Sequence, residues 1–168
     1  VWYRVLIATL SLWIYFAMYR KNFRVPLRRM LQFLGVGLVV GLHWVFFFHS
    51  IKISTVSVTL VSLSAVTLFT AILEPLANRK RIDMADVLVG LVIIFGIYLI
   101  FTVESPYFWG IIFGLLAALS ASVFGICNAR MVKSTDPTII TFYEMIGAVV
   151  GVSVLLAVSG GFDAQMLL

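Results

Sequence analysis

Charge is scarce in this chain. Only 11% of its 168 residues are charged, against 62% hydrophobic, where soluble domains carry about a quarter. The mean hydropathy is +1.13. A soluble fold of this size would still expose roughly a third of its unfolded surface, and too few polar residues exist to cover it. Lipid is the solvent that remains. Cysteine is almost absent: Cys127 alone excludes an internal disulfide framework and offers no metal-ligand cluster. Catalytic signatures are missing too. There is no Gly-x-Ser-x-Gly elbow, no His-Glu-x-x-His and no paired acidic motif on one helix, which makes an intramembrane enzyme the poorest class. No cofactor is implied. The net charge of +5 and pI near 9.7 do not indicate nucleic acid as a partner, because the cations flank apolar segments and form no basic stripe interleaved with aromatics.

What is present is long apolar runs. Residues 1–19, 31–51, 56–76, 84–103, 107–131 and 139–159 each have the ~20-residue length that crosses a hydrocarbon core. They predict an all-α, polytopic transmembrane bundle of six spanning helices, since the runs are continuous and lack the alternation of a membrane barrel. Ser105-Pro106 and Asp136-Pro137 read as N-caps followed by proline at the first helical position. Of twelve Lys and Arg, ten fall in alternate connections: Arg20, Lys21, Arg24, Arg28 and Arg29, then Arg79, Lys80 and Arg81, then Arg130 and Lys133. The opposite connections hold only Lys52. The positive-inside rule makes residues 20–29, 79–81 and 130–133 cytoplasmic, in a multi-pass protein of an inner or plasma membrane.

Laying residues 141–159 over residues 1–19 aligns Tyr143 with Tyr3, Glu144 with Arg4, Ala148 with Ala8 and Ala157 with Ala17. The two segments start five helices apart and run in opposite directions, the arrangement of an inverted-topology repeat. Gly37 and Gly41, Gly110 and Gly114, and Gly147 and Gly151 have the four-residue spacing that lets helix backbones approach.

The run Leu42-His43-Trp44-Val45-Phe46-Phe47-Phe48-His49-Ser50-Ile51-Lys52-Ile53-Ser54-Thr55-Val56-Ser57-Val58 resembles the third-to-fourth helix junction of the EamA family of the drug/metabolite transporter superfamily. Phe69-Thr70-Ala71-Ile72-Leu73-Glu74-Pro75-Leu76, the basic turn Asn78-Arg79-Lys80-Arg81-Ile82-Asp83 and the helix at residues 90–101 continue the likeness. The resemblance implies ten helices in an inverted five-plus-five repeat, of which this chain would be a fragment covering helices two to seven. Residues 1–103 would then form most of the first repeat, and residues 104–168 the start of the second. Where the family often has proline midway along its fourth helix, this chain reads Ser64-Ala65-Val66, which leaves a backbone break there undetermined.

A carrier needs polar groups within its helices, where charge costs roughly 2.5–3.5 kcal/mol without a partner or a water-filled cavity. Glu144, about 8 Å along its helix from Ile139 at ~1.5 Å per residue, is the leading candidate for a substrate ligand or proton carrier. The competing reading is an interfacial acid stabilised by the helix dipole. His43 heads the stripe His43, Phe47, Ser50, and imidazole is a side chain able to take or give a proton in the physiological range. Arg4 offers an anion contact, against snorkelling to the interface. Tyr143, Ser120 and Asn128, with Ser122, offer neutral hydrogen bonds either to a small polar ligand or between helices. Glu74 and Arg79 read as a structural ion pair at an inner gate. The function expected is a secondary transporter moving a small metabolite, an amino acid or drug-like solute, by alternating access. A non-catalytic membrane subunit or oligomeric accessory protein is the alternative. The partners implied are the lipid bilayer and a small-molecule substrate; a coupling proton and a homodimer are left open.

Overall fold

The computed structural model describes residues 2–19, 23–79, 84–103 and 105–158. Arg20, Lys21, Lys80 and Arg81, which carry part of the orientation argument, lie outside these residues, as do Ile82, Asp83 and Ser159. Among the described residues all regular structure is helical: α1 (Trp2–Tyr19), α2 (Leu27–Ile53), α3 (Val56–Leu63), α4 (Val66–Asn78), α5 (Met84–Val103), α6 (Phe108–Met131) and α7 (Pro137–Val158), with a 3-10 turn at Ser105–Tyr107. The protein is an all-α polytopic membrane protein. Four spans, α2, α3 with α4, α6 and α7, are long and apolar enough to cross a membrane. The 18 residues of α1 and 20 of α5 fall within the roughly 17–25 that a span uses. Their surfaces fit lipid: α5 exposes Leu88, Val92 and Phe95, and α1 exposes Ile7, Trp13 and Met18.

Three boundaries depart from the sequence expectation. The span expected as one helix over residues 56–76 is broken at Ser64–Ala65. No proline is needed for the break. The Ser64 hydroxyl donates back to the Val61 carbonyl at 2.6 Å, and Ala65 and Thr67 donate their amides three residues back, to Ser62 and Ser64. Such back-bonding gives the backbone an alternative to the four-residue ladder. The second span starts at Leu27, earlier than expected. The Pro26 carbonyl accepts from the amides of Arg29 and Met30, so Arg28 and Arg29 stand in the first turn of α2 and not in a loop. Its 27 residues extend about 40 Å at 1.5 Å per residue, longer than the ~30 Å hydrocarbon core, which carries both arginines to the interface. Finally, Pro106 lies in the 3-10 turn, and α6 begins only at Phe108. At the other expected cap the geometry holds: Asp136 Oδ1 accepts from the Thr138 amide at 2.8 Å, with Pro137 opening α7.

The chain divides into two compact units, residues 1–42 with 127–168, and residues 43–126. In the first, α1 lies antiparallel to α7. Trp2 Nε1 donates to Ser153 Oγ at 2.8 Å near one end, and Phe16, Phe23 and Phe142 form a mutual ring cluster near the other, with centroids 5.4–5.6 Å apart. The core adds Val5, Phe33, Val40, Ala148, Val152 and Leu156. Arg29 donates to the Ser134 carbonyl and to Thr135 Oγ1 at 3.2 and 3.1 Å, which ties the start of α2 to the α6–α7 connection at one end of the unit. The second unit packs α4 and α3 against α5, and its core is Val58, Ala65, Ile111, Ala117, Ala118 and Ile126.

Candidate functional site

Within the first unit α2 and α7 run parallel and cross where both lack side chains. A Cβ at Gly37 would overlap the Glu144 carbonyl oxygen and lie 2.8 Å from its carbonyl carbon and Cα; one at Gly147 would overlap the Leu34 carbonyl oxygen. One turn on, a Cβ at Gly41 would stand 3.2 Å from the Ala148 carbonyl oxygen, and one at Gly151 3.0 Å from Leu38 Cδ2. Both four-residue glycine pairs are therefore real contact points, as their spacing predicted. The crossing pins the Glu144 backbone, and it leaves the residue 4% exposed.

The Glu144 side chain meets Asn128 of α6, sixteen residues earlier, whose Nδ2 donates to Oε2 at 3.3 Å. Two buried oxygens remain without a hydrogen-bond partner, Glu144 Oε1 and Asn128 Oδ1. A buried acceptor left unmade costs about 1–3 kcal/mol, and more if it carries charge. An interfacial carboxylate bathed in water would have no such deficit. Among the described residues the hydrogen bond to the carboxylate comes from Asn128, and Oε1 receives none. Tyr143 beside it turns its hydroxyl to the Phe23 carbonyl at 3.1 Å, its ring tilted against Phe33 with centroids 6.3 Å apart.

In the second unit the stripe of α2 faces α6. His43 Nδ1 lies 2.8 Å from the Ala117 carbonyl. A carbonyl only accepts, so Nδ1 carries the hydrogen and Nε2 is the acceptor of the neutral ring. The imidazole stacks on Phe47 at 6.2 Å and meets the edge of Phe124 at 5.5 Å. Further along, Ser50 is wholly buried and its hydroxyl donates to the Gly110 carbonyl at 2.7 Å, with Thr59 Oγ1 2.8 Å away. Gly110 and Gly114 make room for this knot, since Cβ atoms there would meet Ser54 and Ser62. The sequence places Ser50 in a stripe with His43 and Phe47 and does not name its partners. The hydroxyls repeated at four-residue intervals, Ser50 with Ser54 and Thr55 with Thr59, were the available signal.

The remaining candidates are dispersed. Ser120 donates to the Leu116 carbonyl one turn back, 2.8 Å, while buried Ser122 accepts from Thr70 Oγ1 at 3.0 Å and joins α4 to α6. Arg4 is exposed on α1. The hydrogen bond that Glu74 receives comes from Asn78 Nδ2, at 3.5 Å. Arg79 caps α4 in the left-handed conformation, φ 52°, and donates its backbone amide to the Pro75 carbonyl. Glu74 also lines an open cleft of about 450 Å³ with Thr67, Thr70 and Asp86. Glu144, Asn128, Tyr143 and Arg4 thus belong to the first unit, and His43, Ser120, Glu74 and Arg79 to the second.

Compared with known families, residues 1–102 match the profile of the EamA-like transporter family. No curated protein and no solved structure matches the chain.

Proposed function

Because the chain belongs to the EamA-like transporter family, a family of membrane transporters in the drug/metabolite transporter superfamily, we propose that it carries a small metabolite across an inner or plasma membrane by alternating access. Amino acids and drug-like solutes are the substrate class. The six spans stand as helices two to seven of an inverted five-plus-five repeat, with residues 1–103 in the first repeat and 104–168 in the second. The antiparallel course of α1 and α7 supports this pairing. The joint between Arg29 and the α6–α7 connection supports a common, cytoplasmic side for residues 20–29 and 130–133.

The observation that carries the reading is Glu144, a carboxylate buried in a membrane helix with one amide partner and one bare oxygen. Intramembrane acids of this kind mark substrate or proton pathways. In this reading Glu144 contacts substrate or a coupling proton, and His43 contributes an acceptor nitrogen elsewhere in the chain. The test is uptake and efflux in proteoliposomes over a panel of small metabolites. Glu144→Gln should lower transport about tenfold or more, the factor that 1.4 kcal/mol represents, with membrane insertion intact. Unchanged transport removes Glu144 from the site. A carrier also gains thermal stability when a ligand binds its folded state; no stabilisation by any solute of the panel would favour the accessory-subunit alternative.

A further inference from the structure

The Asn128–Glu144 contact leaves exactly one acceptor over on each partner. Asn128 Nδ2 already bonds Oε2, while Glu144 Oε1 and Asn128 Oδ1 are both buried and both unpartnered. The two oxygens left over, Glu144 Oε1 and Asn128 Oδ1, are both acceptors, with no hydrogen shared between them. One hydrogen satisfies both. A metal ion would need more oxygen ligands than these two, and among the described residues the acid's hydrogen bond comes from Asn128. Tyr143, the nearest hydroxyl along α7, is already committed to Phe23. Gly37 and Gly147 hold α7 at Glu144 against α2, so any movement that relieves the pair falls to α6.

We propose that Asn128 and Glu144 form a proton-binding pair, in which a proton taken from water rests on Glu144 Oε1 and is donated to Asn128 Oδ1 while Asn128 Nδ2 donates to Oε2. The result is a neutral, reciprocal two-bond ring that joins α6 to α7. This deepens the reading of Glu144 given above and rests on it for its link to transport. Beyond that reading, it makes Asn128 a positioning residue for the proton and not a substrate ligand. Loss of the proton leaves a buried carboxylate facing an amide oxygen, which drives the two helices to admit water or separate. Proton binding and helix closure are then one event.

Infrared difference spectroscopy of the protein in lipid nanodiscs at neutral pH tests the pair without transport. A protonated-carboxyl C=O band should be present, should vanish in Glu144→Gln, and should move to higher frequency in Asn128→Leu, where the carbonyl loses its N–H donor. Absence of a band that Glu144→Gln removes, or a band that Asn128→Leu leaves in place, overturns the proposal. Thermal unfolding provides a check that does not need the leucine variant to fold. Glu144→Gln places an amide against an amide and satisfies all four groups, so it should unfold no earlier than wild type and show no dependence on pH, whereas wild type should lose stability as rising pH strips the proton. A glutamine variant that unfolds earlier than wild type at every pH refutes the ring. The two readings fail separately: normal transport by Glu144→Gln with the expected band removes only the coupling role, and lost transport without the band removes only the ring.

Discussion

At Glu144 one carboxyl group is exposed to three requirements at once. The crossing with α2 needs a residue whose backbone can be approached, the membrane needs a neutral or partnered side chain, and the transport role proposed for Glu144 needs a group that can change state. The backbone requirement falls on Gly37 and Gly147, which frees the side chain for Asn128. Ser50 makes the contrasting case of a buried polar residue with its hydrogen bonds complete. Ser50→Ala should destabilise by only about 1 kcal/mol, in the range measured for hydrogen bonds between membrane helices, because Thr59 Oγ1 can still donate to the Thr55 carbonyl at 3.0 Å. Thermal unfolding in detergent with a double-mutant cycle on Thr59 measures this. A loss several times larger would mean that the knot acts as a unit.

At the level of the element, small residues decide which helices touch. Gly35 and Gly37 are two residues apart on α2 and differ completely in surroundings: a Cβ at Gly35 meets nothing within 4 Å, whereas one at Gly37 meets the Glu144 backbone. Gly35→Ala should therefore stabilise the helix by roughly 0.5–1 kcal/mol, since alanine loses less backbone entropy. Gly37→Ala should destabilise by about 1–3 kcal/mol or more, the cost of overpacking against atoms that cannot rotate away. Unfolding midpoints of the two variants check the pair, and equal effects would refute the α2–α7 crossing. The broken span follows the same economy of small groups. Serine hydroxyls at 62 and 64 turn to the carbonyls of Val58 and Val61, so the backbone departs from the α-helical ladder where no proline demands it.

For the whole molecule the governing quantity is the distribution of cations between the two faces of the membrane. Ten of twelve lie in or beside alternate connections, and Arg29, in the first turn of α2, bonds to the α6–α7 connection. In a Cys127→Ala background, single cysteines replacing Arg24 and Lys133 should react with a membrane-impermeant maleimide from the same, cytoplasmic side. One replacing Lys52 should react from the opposite side. Labelling of Lys52→Cys and Lys133→Cys from one side would overturn the assigned orientation and, with it, the inverted relation of α1 and α7.

What the sequence by itself determined is whatever depends on length and solvent. The number and helical character of the membrane segments, the Asp136-Pro137 start of α7 and the glycine spacings follow from apolar runs, local hydrogen-bonding chemistry and period, each of which acts within a few residues. The family was legible in the stretch from Leu42 to Val58, and residues 1–102 bear it out. Only the tertiary structure decided which polar groups are satisfied. Asn128 and Glu144, Ser50 and Gly110, and Thr70 and Ser122 are paired across different helices, and one sequence contains nothing that says which turn of one helix faces which turn of another. The same limit hid the break at Ser64, because a serine hydroxyl bonds either its own helix or a neighbour's, and the choice depends on what that neighbour presents.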